Sequence, residues 1–131
     1  MVILVAIAAT LSAALHIVIF YWESLAWLRP AVWKRFGVAN EQDAQTTRVL
    51  AYNQGFYNLF LAIGALVGAI LYGVGVQQAG FAIGLFSVIC MFGASVVLLS
   101  SGPGRIKAAL IQGTLPLITI VLYIVSGVTQ S

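Results

Sequence analysis

Charge is the scarcest commodity in this chain of 131 residues: six Lys or Arg, three Asp or Glu, 7% in all. Six basic residues with no basic helix face and no aromatic-basic alternation do not make a nucleic-acid surface, despite a net charge of +3 and a pI near 9.4. The single cysteine, Cys90, excludes a disulfide framework and reads as a small buried hydrophobe. The single histidine, His16, stands seven residues from Glu23. That is no metal ligand set, and no Cys/His spacing accompanies it. Serine-nucleophile, phosphate-loop and dinucleotide fingerprints are missing, because the glycines between Gly64 and Gly84 follow no strand. No cofactor is expected.

What is abundant is apolar surface. The chain is 62% hydrophobic with a mean hydropathy of +1.07, outside the range of soluble domains. A spanning helix takes about 20 apolar residues. The sequence therefore predicts an all-α membrane protein, residues 1–131 forming a single transmembrane domain. Four spans at about 2–28, 46–76, 79–100 and 106–128 make an up-down-up-down four-helix bundle. No Lys or Arg precedes the first apolar run, so that run reads as a retained span rather than a cleaved signal.

The first span carries Ser12, His16 and Glu23 within about 40° on its helical wheel. Tyr21, Trp22 and Trp27 crowd its end as an interfacial aromatic belt, and Arg29-Pro30 closes it. Trp33-Lys34-Arg35-Phe36 is a basic-aromatic loop piece at the membrane surface, and Asn40 with Asp43 resembles a helix N-cap. In the second span Thr47, Gln54, Asn58 and Tyr72 share one face, with Asn53 and Tyr57 about 100° away. One face can meet span one and the other span four. Gly64, Ala65, Gly68 and Ala69 supply small-xxx-small spacing, and Gly80, Gly84, Ser87, Met91 and Ala94 line span three. Span four presents Ala108, Gln112, Pro116, Thr119, Tyr123 and Ser126 on one face. Pro116 has no N–H to offer the Gln112 carbonyl, which frees both backbone and side chain of Gln112.

All six basic residues, Arg29, Lys34, Arg35, Arg48, Arg105 and Lys107, fall in or beside the loops joining spans one to two and three to four. By the positive-inside rule those loops are cytoplasmic, both termini are non-cytoplasmic, and the protein sits in the inner (plasma) membrane. With about 1.5 Å of rise per residue, Glu23 lies about 8 Å inside the cytoplasmic end, Gln54 and Gln112 about 10 Å, and His16 and Asn58 about 18 Å. The first three form one expected layer and the last two a second. An ionised carboxylate in a bilayer costs several kcal/mol unless paired, so Glu23 must be hydrogen-bonded, neutralised or in contact with water.

The order His16-x-x-x-Phe20-x-x-Glu23-x-x-x-Trp27, then Asn53-Gln54-Gly55-x-Tyr57-Asn58, then Gln112-Gly113-x-x-Pro116, resembles the small bacterial membrane proteins grouped as the domain-of-unknown-function 1304 family. The Asn-Gln-Gly-x-Tyr-Asn element is the most specific part. The resemblance covers essentially the whole chain and implies a four-span membrane protein with no established activity.

Three functions fit these residues. In the first, the bundle binds a small amphipathic or lipid-like molecule from the cytoplasmic leaflet. Glu23 and His16 then serve as acid and base, while Asn53, Gln54, Tyr57, Asn58, Gln112 and Trp27 orient the ligand. In the second, a homodimer joined by its glycine-rich faces couples protonation of Glu23 to transport, although the external half carries no comparable polar path. In the third, the chain is an accessory subunit and its polar layer is interhelical glue worth about 1 kcal/mol per bond.

Overall fold

The computed structural model describes residues 1–130, and among them the chain is helical with no strand. Four helices are long and apolar enough to cross a membrane. Helix α1 covers Val2–Phe20 and continues as a π-helical turn, Tyr21–Leu25. A short α2, Pro30–Trp33, and one 3₁₀ turn, Lys34–Phe36, fill the first loop. Helix α3 is Glu41–Gly73, α4 is Gln77–Ser100 and α5 is Ile106–Gln130. Span two thus starts in the loop before the lipid. Asn40 caps it, its side-chain oxygen accepting the Asp43 N–H at 2.9 Å while its amide donates to the Asp43 carboxylate at 2.9 Å. Asn40→Ala should cost about 1 kcal/mol, read as a fall of the thermal midpoint in detergent.

The four long helices form a ring in which each packs on its sequence neighbour and α5 closes back onto α1. Span two therefore packs against spans one and three, not one and four as the wheel suggested. Helices α3 and α5 stand at opposite corners, touching where Tyr72 reaches across to Ser126 and Tyr123.

The seam that α3 buries is built mostly from small side chains, and its exposed face from large ones. In α3 the buried positions Ala51, Gly55, Asn58, Ala62, Ala65, Ala69 and Tyr72 recur at alternating steps of four and three, the repeat of a coiled-coil seam. Outward stand Val49, Leu50, Phe60, Ile63 and Ile70. Lipid tails are as apolar as leucine, so burying large apolar groups gains little here, and close backbone contact between small residues holds the helices together. A Cβ on Gly68 would run into the Gly84 backbone, one on Gly80 into the Tyr72 backbone, and one on Gly64 into the Ser87 hydroxyl. These glycines face each other's helices within one chain, so the surface expected to join two copies is used inside the monomer. In α4 it is Ser95 rather than Ala94 that completes the buried stripe, and Cys90 is free and half-buried.

Candidate functional site

The π-helical turn gives the site its shape. The Ala26 N–H bonds the Tyr21 carbonyl five residues back, at 2.9 Å, so one extra residue is wound into the last turn of span one. Such turns shift the phase of every side chain beyond them and recur at functional sites. Here the turn presses Glu23 and Ser24 against α3. Gly55 receives them: a Cβ there would collide with the Ser24 hydroxyl and lie 3.0 Å from the Ser24 nitrogen and 3.1 Å from the Glu23 Cβ. The Ser24 hydroxyl donates to the Tyr52 carbonyl at 2.7 Å.

Glu23 is 8% exposed and its Oε2 accepts a hydrogen bond of 2.7 Å from the Asn58 amide, itself 4% exposed. The depth estimate set these two residues a layer apart. Side chains on a helix lean toward its own N-terminus. In the antiparallel pair of spans one and two, Glu23 therefore leans away from the basic end of the bundle and Asn58 toward it, which brings them together.

Gln54, expected beside Glu23, is exposed, because Gly55 holds the seam position next to it. Only its backbone carbonyl takes part, as an acceptor for the Asn58 amide at 3.3 Å. Asn53 and Tyr57 are exposed as well. Gln112 is half-buried and lines a different cavity, with Trp22, Lys34, Arg35 and Lys107. The expected single layer is thus two separate places, one at Glu23 and Asn58, the other at Gln112. The reason is the ring order, which puts spans two and four at opposite corners with Glu23 turned toward span two.

Glu23 opens into a groove of ≈ 410 Å³ between the end of span one and the start of α3, lined also by Ser24, Trp27, Leu28, Arg48 and Tyr52. Trp27 is buried and fixed by its indole N–H, which donates to the Ala44 carbonyl at 2.9 Å. One carboxylate, one guanidinium and an aromatic wall therefore share a groove at the basic end. Arg48 was legible only as a topology signal, and nothing in Tyr21–Leu25, which holds neither Gly nor Pro, announces a π-helical turn.

His16 lies two turns deeper and is fully buried. Its Nδ1 is 2.9 Å from the Ser12 carbonyl, an acceptor only, so Nδ1 carries the proton. Its Nε2 is buried without a hydrogen-bond partner, as is the Tyr123 hydroxyl. Beyond His16 the interior stays polar: the Ser12 and Thr119 hydroxyls are 3.0 Å apart, and those of Tyr72 and Ser126 2.7 Å apart. The half of the bundle expected to lack a polar path thus carries two buried interhelical hydroxyl pairs.

The model of a family described as a protein of unknown function (DUF1304) matches residues 10–124, a stretch that includes Glu23, Asn58 and both ends of the Glu23 groove. No curated protein and no solved structure matches the chain.

Proposed function

Because the chain belongs to this family of unknown function, we propose a function from the site itself: the bundle is a binding module whose Glu23 groove takes the polar end of a small amphipathic or lipid-like molecule. The observation that supports it is a carboxyl group almost withdrawn from solvent that nonetheless lines an open groove. Asn58 engages one carboxyl oxygen. The other is left to a ligand donor, while Arg48 at the rim supplies the opposite charge and Trp27 an apolar wall. The crowding of basic residues in the loops beside this groove supports a cytoplasmic-facing site under the positive-inside rule. Glu23 is the group for proton exchange with the ligand. His16 would join only through a water or ligand atom reaching its unpartnered Nε2.

A second reading rests on the same contacts. The Glu23–Asn58 and Ser24–Tyr52 bonds and the close approach at Gly55 also describe interhelical glue in an accessory subunit. Glu23→Gln separates the two, since glutamine still accepts from Asn58 but loses the charge and the exchangeable proton. On the binding reading, a co-purifying amphiphile measured by mass spectrometry of the extracted protein falls about tenfold, the order of one charge-assisted hydrogen bond, with the thermal midpoint nearly unchanged. On the glue reading the bond to Asn58 survives, so the midpoint and the bound content both stay the same.

A further inference from the structure

The second cavity lies on the far side of the π-helical turn from Glu23. It has a volume of ≈ 360 Å³, between the end of span one, the 3₁₀ turn of the first loop, the end of α4 and the start of α5. Three cations line it, Lys34, Arg35 and Lys107, and no acidic side chain does. The Arg35 guanidinium stacks over the Trp22 ring at 4.9 Å, and Arg105 donates to the Phe36 carbonyl at 3.3 Å. That bond ties the two loops of the basic end together across the rim. The wall also carries the half-buried Gln112 and the apolar side chains of Ile19, Leu98 and Ile111. The cavity thus joins three cations to an apolar wall, and one of its lining residues, Ile111, is exposed on the outer surface of α5.

We propose that this groove binds the headgroup of an anionic phospholipid, with Lys34, Arg35 and Lys107 on the phosphate and Ile19, Leu98 and Ile111 against the first part of an acyl chain. Charge complementarity selects the headgroup, since three exposed cations and no carboxylate face one cavity, so an anion seated there meets all three. The apolar floor selects a lipid over a free anion, which would leave that floor unused. The volume is near the low end of about 300–1,000 Å³ for small-molecule pockets, which fits a headgroup while the acyl tails stay in the bilayer. Basic pockets between transmembrane helices are the general form of such sites. The site is independent of the Glu23 groove and does not rest on its proposed ligand.

The test uses the full chain, delipidated in an uncharged detergent and titrated with phosphatidylglycerol or phosphatidylcholine under native mass spectrometry. Phosphatidylglycerol should be retained in preference, and Arg35→Gln/Lys107→Gln should lower its retention about 30-fold, the sum of two cations near an anionic headgroup. Arg29→Gln should leave it unchanged, Arg29 being a cation of the same end that does not line the cavity. An equal loss in Arg29→Gln, or equal retention of both lipids, would overturn the proposal in favour of diffuse surface charge. Displacement of the lipid by millimolar inorganic phosphate would overturn it in favour of a free-anion site. Should the double variant fail to fold, a photoactivatable phosphatidylglycerol on the unaltered protein gives the answer. Labelling concentrated on peptides carrying Leu98 or Ile111 supports the groove, and labelling spread over all lipid-facing peptides refutes it.

Discussion

Asn58→Leu is expected to destabilise the bundle by about 3 kcal/mol, because it strips the buried Glu23 carboxyl of its donor without opening the site to water. Leucine keeps asparagine's branched four-atom skeleton, so the seam between spans one and two stays filled and the loss reports chiefly on the hydrogen bond. That bond is short, 2.7 Å, and joins residues 8% and 4% exposed, which leaves little solvent to replace the amide. A buried acceptor left unmatched costs more than the bond itself was worth. Replacing both partners by apolar residues, Glu23→Met with Asn58→Leu, should therefore recover most of the stability. Equilibrium unfolding in mixed detergent micelles, run as a double-mutant cycle, measures the coupling. A single variant as stable as the parent would show that the carboxyl is satisfied from the groove instead.

The second large effect is expected at Gly68→Leu, where the obstacle is backbone on both sides. A Cβ at this position would run into the Cα and nitrogen of Gly84 and lie 3.1 Å from the Gly80 carbonyl oxygen. No rotamer change relieves a clash with a neighbouring main chain. Helices α3 and α4 must separate, and Gly84 cannot retreat because the Tyr123 ring packs on its other side. The cost should be at least about 3 kcal/mol, the upper range of overpacking, seen as a lower midpoint or loss of folded protein. Gly93→Ala is the control. Nothing lies within 4 Å of a Cβ there, so stability should hold or rise by under about 1 kcal/mol through helix propensity.

Both predictions turn on positions whose importance the wheel of span two only half conveys. The wheel places Gln54 within 40° of Asn58, close enough to share a face at 3.6 residues per turn. The helix instead buries a seam of period 3.5, and at that period Gly55 is inside and Gln54 outside. Gln112 illustrates the same limit, since its face was readable but not which cavity that face would meet. His16 was singled out correctly as interior, yet its unpartnered Nε2 depends on what the neighbouring helices present.

What composition and local order determined on their own is the membrane character, the four apolar helices, the cap at Asn40, the crowding of six cations at one end and the inward stripe of Ser12, His16 and Glu23. Each of these follows from residues close together in the chain. Tertiary structure alone decided that Glu23 pairs with Asn58, that the ring order separates Gln112 from them, and that two grooves, one holding a carboxylate with a guanidinium and one holding three cations, flank the end of span one. The cause is physical. A π-helical turn re-phases Glu23, and the choice of partner is made across the gap between helices, where small residues let one backbone come close enough to exclude every alternative.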